Sequence, residues 1–172
     1  WGGIEAHLQM MDALRLLYRN PIAEGILFLA VLAQIVSGVW QIRQLSPTER
    51  RQNWLQVGSG VYLLLFLIAH TSAVLNARYG QSLDTNFYFA SIVLLDQASR
   101  LFFIPYYSLG VLSFFVHLSC GLQWYLPASK RALFRSLMLG TGLIIAAMII
   151  ALFSGWLYLI PRLPQYESIL LF

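Results

Sequence analysis

Charge is what this sequence has least of. Only 10% of its 172 residues are Asp, Glu, Lys or Arg, against about 25% in a typical soluble domain. With 59% hydrophobic residues and a mean hydropathy of +0.68, the deficit excludes an ordinary soluble fold. Cysteine is down to one, Cys120, so the chain can form no internal disulfide and hold no iron–sulfur cluster. There is no internal repeat and no low-complexity tract. No Asp, Glu or Lys stands in the middle of an apolar run, which argues against a transporter. A nucleophile, base and acid for hydrolysis cannot be assembled. The formal charge of +4 and pI near 9.5 come from basic residues scattered between apolar runs, a pattern of membrane-flanking loops rather than of nucleic-acid binding. The chain opens at Trp1, not Met, and shows no signal peptide, so residues upstream are expected.

What is there is long apolar segments. A bilayer core takes roughly 20 apolar residues in helix. Four runs meet this: about Ile22 to Ile42, Val57 to Ala77, Phe102 to Leu126 and Leu133 to Ile160. Pro21 suits a first helical turn, Pro105 falls in or just ahead of the third run's first turn, and Pro127 and Pro161 mark stops. Trp40, Trp54, Trp124, Tyr125, Trp156 and Tyr158 lie near the run ends as an interfacial belt. Leu8, Met11, Leu14 and Tyr18 recur at helical spacing before the first run, which predicts an amphipathic helix on the membrane surface. The expected architecture is all-α. It is an integral membrane bundle of four transmembrane helices over residues 21–160, with an interfacial amphipathic segment at 1–20 and a C-terminal tail at 161–172. Between the second and third runs, Asp84 or Thr85 is expected to cap a short surface or re-entrant helix ending at Leu95.

Four spans put both termini on one side. Arg43, Arg50, Arg51, Lys130, Arg131 and Arg135 fall in or next to the two short links, at 43–56 and 127–132, and Arg15, Arg19, Arg78, Arg100 and Arg162 fall opposite, six against five. Compact basic links predict the cytoplasmic or matrix side, with the termini opposite, in a bacterial or mitochondrial inner membrane.

Projected at 3.6 residues per turn, the spans share a small and polar face. It takes Ala30, Gln34, Ser37, Gly38 and Gln41 from the first span, and Ser59, Leu63, Phe66, His70, Ala73 and Ala77 from the second. The third adds Gly110, Ser113, His117, Cys120 and Gly121, and the fourth Gly140, Ala147, Ala151, Ser154 and Gly155. Such a face either packs helices closely or leaves room for a flat cofactor. His70 and His117 sharpen the question, because an ionisable side chain in hydrocarbon is costly and imidazole ligates metals and haem well. The bland alternative is that each histidine hydrogen-bonds a neighbouring helix. At 1.5 Å per residue the two histidines differ in depth by about 12 Å, so one haem clamped by both is strained.

The run QIVSGVW (34–40), the pair His70 and Arg78 in HTSAVLNAR, and HLSCG (117–121) resemble the membrane-anchor cytochrome b subunits of succinate dehydrogenase and fumarate reductase. The likeness extends over roughly Tyr18 to Tyr158. It implies a helical bundle carrying no, one or two b haems and passing electrons between an iron–sulfur subunit and quinone. His70 and His117 are then the haem-iron ligands, and Gln34, Ser59, Ser113 and Gly121 line the haem. By the same resemblance Ser37, Ser72 and Arg78 are quinone-site candidates. In the two-haem members the histidines of the second and third spans serve different haems, which matches the difference in depth. This sequence departs from the pattern at their partners: Gln34 stands where a histidine is wanted, and Ser154, Gly155 and Trp156 are all that the fourth span offers opposite His70.

Two functions follow. One is an electron-transfer subunit binding b-type haem, exchanging electrons with quinone and anchoring a soluble redox partner. At most it is a quinone-site subunit of an oxidoreductase rather than a complete enzyme. The other is a haem-free membrane subunit that assembles a larger complex or binds lipid, with His117 bonded to Gln34. In that second case Ser72 bonds its own helix and Arg78 snorkels to headgroups.

Overall fold

The computed structural model describes residues 2–170. Trp1, at the head of the expected interfacial segment, and Leu171 and Phe172, at the end of the expected tail, lie outside the described residues. Among the described residues every regular element is helical. Four helices are long and apolar enough to cross a membrane, Pro21–Gln44, Trp54–Gly80, Ser99–Tyr125 and Ala128–Phe153, as expected of an integral membrane protein. The chain divides into two units, one ending at Gln52 and the other beginning at Asn53.

The first unit holds α1 (Gly3–Tyr18), α2 (Pro21–Gln44) and α3 (Pro47–Gln52). Asn20 caps α2 by accepting from the Ile22 N–H at 3.0 Å, and Pro21 occupies the first turn, where its missing N–H would have no partner anyway. A reciprocal capping box starts α3. The Ser46 N–H donates to Glu49 Oε2 at 2.8 Å, and the Glu49 N–H donates to Ser46 Oγ at 3.3 Å. On α1, Met10, Leu14 and Leu17 share one face and are exposed, as are Leu16 and Tyr18, while Leu8 and Met11 are half-buried.

The second unit holds α4 (Trp54–Leu75), α5 (Phe87–Leu95), α6 (Ser99–Leu122) and α7 (Ala128–Phe153). A wider π turn, Asn76–Gly80, extends α4, and a 3-10 turn, Gln123–Tyr125, extends α6. α6 packs against both α4 and α7. It starts three residues earlier than the sequence suggests, so Pro105 lies inside the helix. The fourth span is shorter than expected. It ends at Phe153, not Ile160, and what stops it is Gly155 rather than Pro161. Gly155 takes a positive φ of 75°, and the Trp156 N–H reaches back to the Ala151 carbonyl at 3.2 Å, closing a Schellman-type cap.

The link helix also departs from expectation. Asn86, not Asp84 or Thr85, caps α5, accepting from the Tyr88 and Phe89 N–H groups at 2.9 and 3.4 Å. Nor is α5 a surface piece. Phe87, Ser91, Ile92, Val93 and Leu94 are all buried, and Ser91 is satisfied by the Phe87 carbonyl at 2.8 Å. A short helix that is apolar on every side has to be covered on every side. α6 and α7 cover it, and so does the returning chain, whose 3-10 turns Pro164–Leu170 pack on α5. Within the C-terminal segment, Leu163, Tyr166, Ile169 and Leu170 pack into the core around α5. Tyr166 is 1% exposed, and its hydroxyl donates to the Asp84 carbonyl at 3.0 Å or Asn86 Oδ1 at 3.2 Å. Arg162 donates to the Leu95 carbonyl, pinning the same segment to the end of α5.

Tyr166→Phe removes the hydroxyl bond between the C-terminal segment and the start of α5, while both acceptors keep their main-chain donors. It is expected to destabilise the protein by about 0.5–1.5 kcal/mol and to expose the C-terminal segment to protease. Thermal unfolding and limited proteolysis in detergent measure both.

Candidate functional site

The helix contact that carries the site is α4 against α6. Two glycines let it close. A Cβ on Gly60 would stand 2.9 Å from His117 Cε1, and one on Gly110 would stand 2.6 Å from Phe66 Cε2. The His117 ring therefore lies directly on the backbone of α4, and the Phe66 ring on that of α6. Such close approach holds helices in lipid, where apolar burial gives no net attraction between them.

His117 takes its partners from α4. Its Nδ1 lies 3.1 Å from the Gln56 carbonyl and 3.3 Å from Ser59 Oγ. A carbonyl only accepts, so Nδ1 carries the proton and donates it to Gln56. Ser59, buried, is itself held by the Leu55 and Gln56 carbonyls at 2.6 and 3.2 Å. In the neutral ring Nε2 is then the nitrogen with the lone pair, and it has no hydrogen-bond partner among the described residues. A neutral imidazole with Nδ1–H on a main-chain carbonyl is the arrangement in which Nε2 serves as a metal ligand. Gly121, one turn along α6, faces open space. Ser113, one turn the other way, is half-buried.

His70 is placed differently. It is exposed, and its ring stacks on Phe66 with centroids 5.3 Å apart and planes at 9°. His117 meets α4 at Gln56, Ser59 and Gly60, and His70 lies ten residues beyond Gly60, about 15 Å along the helix. The two histidines do not converge on one centre. Among the described residues no three His, Cys, Asp or Glu side chains group to hold a metal ion. Each histidine therefore offers at most a single imidazole to a metal or cofactor.

The remaining candidates are dispersed. Gln34 and Ser37 sit on α2, in the first unit, where Ser37 Oγ donates to the Gln34 carbonyl at 3.1 Å within its own helix. Ser72 is exposed on α4. Arg78, six residues on and about 120° round the axis, lays its guanidinium 5.0 Å from the Tyr79 ring centroid and donates to the Tyr79 hydroxyl at 3.2 Å. In the fourth span the buried positions are Gly142, Ala146 and Ile150, not the Gly140 and Ala147 face that the projection puts inside. Residues missed in the sequence are Gln56, whose carbonyl orients His117, and Gly60, on which the ring lies. The GSG tripeptide 58–60 carries the only signal for them. Tyr62 and Tyr106 were missed as well. Tyr62 donates to the Tyr106 carbonyl at 3.1 Å, and Tyr106 to the Phe66 carbonyl at 3.4 Å, lacing α4 to α6 in both directions.

The chain matches no family model, no curated protein and no solved structure.

Gly60→Ala is expected to push the His117 ring off Gln56 and to cost about 1–3 kcal/mol. Gly58→Ala, two residues away and facing open space, is expected to stabilise by about 0.5–1 kcal/mol through helix propensity alone. Comparing the two unfolding temperatures in detergent separates the effect of contact from that of helix propensity.

Proposed function

We propose that this chain is a cytochrome b-like membrane subunit, with His117 as an axial ligand of b-type haem. The observation that supports the reading is the state of His117. Within an apolar span its Nδ1–H is committed to the Gln56 carbonyl while Nε2 keeps a lone pair and no protein partner. Haem in such a place supplies reversible one-electron transfer between a soluble redox partner and the quinone pool. The chain's own residues do the holding. Gln56 and Ser59 fix the ring's rotation and tautomer, Gly60 sets its depth, and the apolar faces of α4 and α6 exclude water.

His70 is the candidate ligand for a separate haem, since it lies about 15 Å along α4 from the His117 contact. Its second ligand would come from a partner subunit. Ser37, Ser72 and Arg78 remain quinone candidates. The α1 stripe of Met10, Leu14 and Leu17 suits a helix lying in the headgroup region. The links 43–56 and 127–132 are assigned to the cytoplasmic or matrix side and the termini to the opposite one.

One observation favours a second reading, a haem-free anchor that assembles a larger complex. The same contacts of His117 with Gln56, Ser59 and Gly60 also pack α6 on α4.

A reduced-minus-oxidised spectrum of protein expressed with haem available separates the two. The haem reading expects a b-type α-band that His117→Ala abolishes. It expects His70→Ala to remove a separate component and leave the His117 band in place. A flat wild-type spectrum, with His117→Leu losing only roughly 0.6–2 kcal/mol of stability, would establish the anchor reading instead.

A further inference from the structure

The charges of the second unit are segregated along its helices. Its acids are Asp84, Asp96 and Glu167, and its cations are Arg78, Arg100, Lys130, Arg131, Arg135 and Arg162. All three acids belong to the end built by α5 and the C-terminal turns. Asp84 and Asp96 flank α5, and Glu167 lies in the turns that pack on it. Arg162 lies beside Asp96 at that end, and the Asp96 carboxylate also accepts from the Ser99 N–H at 2.8 Å, which holds its pKa below the usual range. Lys130, Arg131 and Arg135 stand at the other end, in the first turns of α7, and from Lys130 to Phe153 the helix covers roughly 35 Å. No Asp or Glu occurs anywhere from 97 to 166. Three cations are thus gathered at one end of α6 and α7 with no acid of that unit to neutralise them.

Their setting argues for an anion held at headgroup depth. α7 has no acid in its first turn, and its amino end is the end where the helix dipole disfavours cations. Arg131 is already oriented. Its Nε donates to the Leu126 carbonyl at 3.0 Å, and its guanidinium sits 4.9 Å from the Trp124 ring centroid, leaving its terminal N–H groups for another partner. Arg135 follows one turn later on the same face and is exposed, as is Lys130. The apolar surface around them is also exposed, with Trp124 at 63%, Tyr125 at 87% and Leu133 at 63%. Cations that border lipid-facing leucines and interfacial aromatics meet a membrane phosphate before they meet a soluble protein.

We infer that Lys130, Arg131 and Arg135, with Trp124, form a seat for the phosphodiester of an anionic phospholipid at the α6–α7 turn. The seat requires only that these helices cross a membrane, and it holds whether or not His117 binds haem.

Native mass spectrometry of the full chain, released from micelles containing equimolar phosphatidylglycerol and phosphatidylcholine, tests this. The wild type is expected to retain phosphatidylglycerol preferentially. The preference is expected to fall about fivefold for each cation removed, in Arg135→Gln and again in the Lys130→Gln/Arg135→Gln double variant. These variants spare Arg131, whose contact with Leu126 helps close the turn, and their unfolding temperatures confirm that they are folded. Arg100→Gln, at the opposite end, is expected to keep the full preference. Equal retention of the two lipids by the wild type would overturn the proposal and leave the patch to an acidic soluble partner. A preference unchanged in the folded double variant would overturn it too, as would one abolished by millimolar inorganic phosphate, which would make a free anion the ligand.

Discussion

Helices in hydrocarbon gain nothing from hiding one apolar side chain behind another, so α6 must hold its neighbours by closeness of fit. It does so where a glycine faces a ring. Gly60 on α4 accepts the His117 ring, Gly110 on α6 accepts Phe66, and Gly142 on α7 accepts Phe115, whose Cβ would lie 3.1 Å from a Cβ there. Each pair places a flat side chain against bare backbone, which maximises dispersion contact between atoms that would otherwise face lipid.

The same closeness disposes of the polar groups. A hydroxyl or imidazole in a span has no water to bond, and leaving it unpaired costs several kcal/mol by order of magnitude. Across the α4–α6 contact, His117, Tyr62 and Tyr106 each donate to a main-chain carbonyl of the facing helix. Main-chain carbonyls have a second lone pair to offer even inside a helix. For the tyrosines this arrangement is structural. For His117 it also leaves Nε2 without a hydrogen-bond partner among the described residues. Packing and chemistry here depend on the same bond, so the anchor and cytochrome readings share one geometry.

The other end of the second unit is built differently. There α5 is enclosed by α6, α7 and the returning C-terminal turns, and it supplies most of the residues that are buried within the chain itself. The spans expose large apolar side chains along most of their length, as lipid-facing helices do. The enclosed end carries the acids of the unit, with Asp96 beside Arg162, while the α6–α7 turn has only cations. One unit therefore presents a balanced end and a strongly basic one.

Helix content, the number of spans and most of their starts were legible in the sequence, because span length and hydropathy are local properties read along one strand of chain. Pro21 marks a helix start in both. The fourth span's end was not, since Pro161 is the louder signal and Gly155 stops the helix seven residues sooner by adopting a positive φ. The α5 cap was misread for a similar reason: Asp84, Thr85 and Asn86 are all good caps, and only the course of the chain, with Asp84 turned toward Tyr166, selects Asn86. His70 and His117 stood out by residue type alone, and their different depths followed from helical rise. What sequence could not settle is which face of each helix meets which neighbour. A projection ranks faces by residue size and polarity, and in lipid both small and large apolar faces are tolerated, so polarity alone does not choose. Tertiary contact chose Gly142, Ala146 and Ile150 for the inside of α7, turned His70 outward onto Phe66, and brought the Gln56 carbonyl under His117.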